Sequence, residues 1–218
     1  ARYFDQRLVV GQDLTAVDER LASLVNKHRR DEHSVVVTWQ ARQFEFLVQD
    51  RLHAVYLMDV TEYEQINDRY RQERLFLGNV YLDNYVELVQ GMSDSEVSNL
   101  RNYVTSELTA WAKYHHLLVK VIDDDNYLLI GHEGDLNRLE EDKFRVLDKI
   151  RQNTSRQNSP VTLSIGIAYG QSDLVKLADT AQKNLDLALG RGGDQVVVRA
   201  ENGQARFYGG KTNPMEKR

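Results

Sequence analysis

The chain contains no cysteine, so disulfide bridges and thiolate sites are excluded. That absence fits a reducing compartment. It has only two prolines, which leaves no Pro-rich linker. No apolar run approaches the roughly 20 residues that a membrane-crossing helix needs, and no secretory leader pattern is visible. Positive charge is not in excess: 28 Lys and Arg stand against 33 Asp and Glu, a net charge of −5. A mildly acidic chain gives no general ground for a nucleic-acid partner. The abrupt start at Ala1 and the polar tail lead us to expect a piece of a longer protein.

What is present suits one large or two small domains, with 218 residues of which 41% are apolar. Leu14, Val17, Leu21 and Leu24 recur at steps of three and four, which predicts a helix with one buried face. Val35, Val37 and Trp39 then alternate with Val36 and Thr38. Gln43–Gln49 puts Phe44, Phe46 and Val48 on one face, and Ala54–Met58 is a third apolar run. Three strands of this length read as an antiparallel meander. Asp59 and Thr61 are helix-capping residues, and the polar helix they open runs to Arg74. Its seam, Tyr63, Ile66 and Tyr70, reads equally well as a dimer-forming connector or as a solvent-exposed linker.

Leu75–Asp83 is a nearly continuous apolar strand, the pattern of one buried on both faces. Asn84–Gly91 reads as a helical turn. Ser93 and Glu96 have the spacing of a capping box, and Val97, Leu100, Val104, Leu108 and Trp111 make the clearest amphipathic helix. Two apolar runs, Leu117–Ile122 and Tyr127–Ile130, flank Asp123, Asp124, Asp125 and Asn126, which predicts strand, polar turn, strand. The three carboxylates could hold a divalent cation, or be an ordinary solvated turn. A helix over Leu139–Ile150, a strand over Val161–Tyr169, a helix through Leu174, Leu177, Ala181 and Leu185, and closing strands Gln195–Arg199 and Ala205–Tyr208 follow. This order predicts an α+β domain with helices on one face of a mixed sheet, closest to the ferredoxin-like arrangement.

Three strands followed by the Asp59–Glu62 helix start resemble the second half of a PAS sensor domain, here a partial one over 1–60, with 61–74 as a connector helix. Two earlier PAS strands have no counterpart, so the sheet is expected to keep an open edge. Either a partner chain covers that edge or this part is poorly ordered. Thr162–Ala168, then Ala178-Asp179, then Gly190-Arg191 resemble the GGDEF domain of diguanylate cyclases over 75–208. Together with the string Ala188–Gln195, this domain pair is similar to the GdpP (YybT-type) cyclic-di-AMP phosphodiesterases. In that family the catalytic DHH and DHHA1 domains follow, and 209–218 would be the linker toward them.

The resemblance implies a sensor or nucleotide-responsive region of a membrane-anchored bacterial phosphodiesterase. It would lie at the cytoplasmic face, be anchored by segments outside this chain, and pair with itself as a homodimer. It also implies that the hairpin occupies the place of the cyclase signature. Asp123 and Asp124 then stand where glycines admit a nucleotide, Asp125 keeps the first acid of the motif, and Asn126 replaces the second. Tyr81 takes the metal-binding acid position and Asp83 keeps the second acid, while Val89 and Gln90 replace the guanine-reading pair. Diguanylate cyclase activity is therefore not expected. Asp83, Asp123, Asp124, Asp125 and Asn126 are the candidate metal or nucleotide residues. The alternatives are weak hydrolysis of ATP with Mg²⁺ and a scaffold that only dimerises. The family further implies haem at the PAS part, although His28, His33 and His53 lie in no haem motif, and Mn²⁺ only in the missing catalytic domains. Gly192–Gln195 imitates the signature but sits after a helix, and reads as a Gly-rich helix stop and turn.

Overall fold

The computed structural model describes residues 10–156, 160–200 and 203–210. The first nine residues of the PAS-like part and nearly all of the expected 209–218 linker fall outside them. The chain forms two compact units, 1–69 and 70–218.

In the first unit the expected single helix is two: α1 (Leu14–Val17) and α2 (Glu19–His28). Asp18 divides them. Its backbone is extended, its N–H closes α1 on the Leu14 carbonyl, and its carboxylate caps α2 at the Leu21 N–H, 2.8 Å away. The same carboxylate accepts from the Trp39 indole at 3.0 Å, tying helix to sheet. β1 (Val35–Trp39), β2 (Arg42–Gln49) and β3 (Ala54–Asp59) form the expected antiparallel meander in that order. One face packs Val37, Trp39, Phe44, Phe46 and Val48 beneath Leu21 and its neighbours on α2. Among the described residues β3 pairs only with β2, so one edge is open as expected. α3 (Thr61–Glu73) follows, its first N–H held by the Asp59 carboxylate at 3.1 Å.

The second unit is built on β4 (Leu75–Leu82). A six-stranded sheet surrounds it in the order β5 (Leu118–Val121), β6 (Asn126–His132), β4, β7 (Leu163–Tyr169), β8 (Gln195–Ala200), β9 (Arg206–Gly209). The first four stand in the ferredoxin-like order, all antiparallel. β8 joins parallel to β7, as a helical crossover allows. α4 (Tyr85–Val89) is the expected short turn, and α5 (Asp94–Tyr114) carries the expected capping box at Ser93 and Glu96.

Two details differ from the sequence reading. The helix expected over Leu139–Ile150 is broken into α6 (Glu133–Asp142) and α7 (Val146–Ser155). Lys143 and Phe144 both adopt positive φ between them, a cost met by burying the Phe144 ring, 5.2 Å between centroids from Tyr208. Helices also cover both faces of the sheet. α5 and α7 pack over Phe76, Val80, Leu82, Leu163, Ile165 and Ile167, whereas α8 (Leu174–Gly190) packs over Leu77 and Ala168 on the other side. Small residues on β7 explain this. A Cβ at Gly166 would lie 2.6 Å from the Leu185 Cα of α8, so only glycine lets the helix seat here.

Gly166→Ala is therefore expected to cost about 1–3 kcal/mol, the usual scale of overpacking. Urea unfolding of the second unit should show a lower midpoint at unchanged slope. An unchanged midpoint would mean that α8 does not depend on this close approach.

Candidate functional site

The polar turn between β5 and β6 is closed by its own backbone. The N–H groups of Ile122 and Asp123 both donate to the Asn126 carbonyl, at 3.0 and 3.1 Å. Pairing of Tyr81 with Asn126 and the bond from the Leu82 N–H to the Asp125 carbonyl, 2.9 Å, set the turn against the end of β4. Each candidate carboxylate then finds a protein partner. Asp123 accepts from the Asp124 N–H at 2.8 Å, Asp124 pairs with Arg101 of α5 at 2.6 Å, and Asp125 accepts from the Asn126 amide at 2.6 Å. Tyr81 stands beside Asp125. Burial first, then the charge and hydrogen bond of Asp125, push its phenol above the ordinary tyrosine range.

Asp83 goes elsewhere. Its carboxylate accepts from the Asp194 N–H at 2.8 Å, and a Cβ on Gly193 would come within 2.7 Å of it. The segment that imitates the signature is thus a helix stop and turn, as read from the sequence, but it also cradles Asp83. Asp194 in turn pairs with Arg151 of α7, which also pairs with Asp148. Burial raises the Asp83 carboxyl above its ordinary range, against the Ser164 hydroxyl, the Asp194 N–H and Thr162, which favour the charged form.

Asp83, Asp123, Asp124 and Asp125 are thus held by separate partners, although Asp83 and Asp125 both bear on the Tyr81 phenol. Among the described residues no group of three or more His, Cys, Asp or Glu is placed to hold a metal ion. Val89 packs against the core and Gln90 is exposed. Tyr63, Ile66 and Tyr70 all lie exposed along α3, at 67%, 65% and 58%. His115 is buried against Trp111 and lies 3.7 Å from Asp142, a core placement. In the first unit a groove of about 540 Å³ is lined by residues that include His33, Leu47, Tyr56 and Met58, but Glu32 and Glu45 line it too. Two carboxylates facing porphyrin propionates make this groove a poor fit for haem.

Sequence reasoning missed Arg101 and Arg151. Arg101 follows a core leucine on α5 and looks like any solvated helix residue, and only the fold brings it to the hairpin. Arg151 likewise meets Asp194 through tertiary packing alone.

Family comparisons agree with this architecture. Residues 1–60 match the PAS domain, and residues 80–207 the GGDEF domain, of the family described as cyclic-di-AMP phosphodiesterase GdpP-like. A solved diguanylate cyclase/phosphodiesterase from Caldicellulosiruptor saccharolyticus superposes with a TM-score of 0.50 at 15% identity, covering 66% of this chain and 87% of that one. That likeness concerns the fold alone. The class is thus a PAS unit followed by a GGDEF-type domain. Among curated relatives, cyclic-di-AMP phosphodiesterase PdeA of Listeria monocytogenes is 45% identical over 100% of this chain and 33% of its own. The GdpP proteins of Geobacillus thermodenitrificans and Bacillus subtilis are 41% and 40% identical, over 100% and 99% of this chain and 33% and 32% of theirs. The chain belongs to the GdpP-like cyclic-di-AMP phosphodiesterase family, and spans about a third of the length of these relatives.

The Asp83 contact predicts a pH signature. The folded chain holds this proton more tightly than the unfolded chain, whose reference value is 3.8. The fold therefore loses stability as pH rises from there through the raised folded value. Asp83→Asn keeps an oxygen for the Asp194 N–H without the charge, and should abolish that decline. Asp83→Ala removes the acceptor and should cost about 1–3 kcal/mol. Denaturant midpoints measured across this range decide it, and identical pH slopes for the wild type and Asp83→Asn would refute the assignment.

Proposed function

We propose that this chain is the regulatory PAS–GGDEF region of a membrane-anchored cyclic-di-AMP phosphodiesterase. The hydrolytic activity would reside in DHH and DHHA1 domains outside these 218 residues. The observation that carries this reading is the state of the hairpin. Asp123, Asp124 and Asp125 are each engaged by a protein partner. Among the described residues no three acidic or imidazole groups are placed together to hold a metal ion, which favours a responsive role over two-metal nucleotide chemistry. The same geometry speaks against ATP hydrolysis with Mg²⁺ as the main activity. Similarity along this whole chain to proteins named as cyclic-di-AMP phosphodiesterases, of which it matches only a third, supports a regulatory share of such an enzyme. Among the described residues no helix is long and apolar enough to cross a membrane, so the anchor would lie in other segments.

The chain would act as a homodimer joined along α3. Three large apolar side chains exposed on one helix seam are best accounted for by a second copy that buries them.

Incubated alone with cyclic-di-AMP and Mn²⁺, the chain should release no product. With GTP and Mg²⁺ it should form no cyclic-di-GMP. Chromatography reads both, and turnover in either assay would overturn the regulatory reading. In sedimentation, Tyr63→Ser with Ile66→Ser should weaken self-association about tenfold or more, because burying each such side chain contributes about 1.5–3 kcal/mol. A variant that dimerises as tightly as the wild type would remove α3 from the interface.

A further inference from the structure

Two contacts fix the rotation of α8 on its sheet. On one flank the Asn79 amide of β4 donates to the Gln182 side chain at 2.8 Å. On the other, just past the helix end, the Arg191 guanidinium lies 4.4 Å from the centroid of the Phe207 ring of β9. The flank turned toward β8 and β9 therefore carries Lys176, Thr180, Lys183 and Leu187, at the steps of three and four that keep residues on one side of a helix. Arg191 prolongs the row. Asp186 lies on the far flank, where it accepts from Gln182 at 2.9 Å, and Asp179 faces outward between the two. Beside the row the sheet adds Arg199. It stands opposite Ala168 in the β7–β8 pairing, on the face that α8 covers, and its Nε–H is shielded from solvent without a hydrogen-bond partner. Among the described residues Lys176, Lys183, Arg191 and Arg199 form no ion pair. Apolar side chains mark both ends of the row. Leu174 and Val175, in the first turn of α8, are 55% and 71% exposed, and Phe207 is 42% exposed.

We infer that this side of the second unit, the α8 flank with the β8–β9 edge, is a docking surface for an anionic lipid bilayer. At the helical rise, the row from Leu174 to Arg191 is about 26 Å long. Cations spread over that length do not converge on one phosphate group. They suit a plane of many headgroups, where each is attracted by whichever anion lies beneath it. The exposed Leu174, Val175 and Phe207 decide between a bilayer and a nucleic acid. Aliphatic side chains beside cations gain by entering the boundary between headgroups and acyl chains, and have nothing to gain from a sugar-phosphate backbone. The chain as a whole carries a net charge of −5, so its remaining surface is repelled by the same bilayer. Attraction through one face then sets the orientation in which the domain lies. The inference deepens the reading of a membrane-anchored protein, and rests on it for the nearness of a bilayer.

The test is flotation of the whole chain with vesicles, either of phosphatidylcholine alone or of phosphatidylcholine mixed equally with phosphatidylglycerol. The chain should float with the mixed vesicles only, and less as salt is added. Each cation near an anionic surface contributes about fivefold, so Lys176→Gln with Lys183→Gln should weaken partitioning by about 25-fold. Lys113→Gln with Lys120→Gln changes the net charge equally but lies on α5 and on β5, the opposite edge of the sheet. Partitioning of this pair should stay within about twofold of the wild type. All four lysines are exposed, so the fold is not at stake in either pair. Absence of flotation, or equal losses in the two pairs, overturns the inference. Single-stranded RNA that strips the chain from the mixed vesicles overturns it in favour of a nucleic acid. No cyclic dinucleotide or GTP enters this assay, so its failure leaves the phosphodiesterase and cyclase assays to stand or fall separately.

Discussion

A carboxylate withdrawn from water needs a donor, and at the end of β4 that donor is the backbone N–H of Asp194. The contact fixes more than one side chain. It sets the exit of β4 against the turn that opens β8, across five intervening helices, the β5–β6 hairpin and β7 in the sequence. Asn84, the next residue, bonds the Pro160 carbonyl and the Thr162 N–H at 2.7 and 3.2 Å, so the same corner also fixes the entry to β7. Gly193 is needed because any side chain there would collide with Asp83. The Gly-rich string is thus a structural element built around a buried acid.

Much of the architecture was legible because its signals are local. The capping box at Ser93, the period of α5, the two-sided burial of β4 and the hairpin each rest on residues within a few positions of one another. What escaped the sequence was decided by tertiary contacts or by backbone angles with no residue-type marker. Lys143 and Phe144 are not glycines, so nothing announced that the chain would turn there. Gly166 was visible as part of a family-like string, but its spacing alone does not say which face of the sheet a helix will press against. Asp18 reads as one more polar helix residue until the Trp39 indole is found beside it.

The candidate site was legible in its residues but not in its wiring. Sequence placed Asp83 and the three hairpin carboxylates on neighbouring strands, and the register of β4 with β6 agrees. Neighbouring strands do not make neighbouring carboxylates. The Asp83 carboxylate is held by the Asp194 N–H and that of Asp125 by the neighbouring Asn126 amide, so each has its own partner. The Ile122 and Asp123 N–H groups bond the Asn126 carbonyl and the Asp124 N–H bonds the Asp123 carboxylate, so the turn closes upon itself.

Two arginine–carboxylate pairs at this end of the domain show how burial separates structural from exchangeable contacts. Arg151 and Asp194 are 17% and 5% exposed, and Arg101 and Asp124 are 40% and 56% exposed. Breaking a pair as buried as the first leaves a charge without compensation, at a cost of about 3–5 kcal/mol. Opening a pair as wet as the second costs about 0–1 kcal/mol. The first is therefore closed under any ordinary condition and holds the Asp83 corner in place. The second opens and closes at thermal cost. Burial alone thus separates a corner that does not yield from a hairpin tip that does.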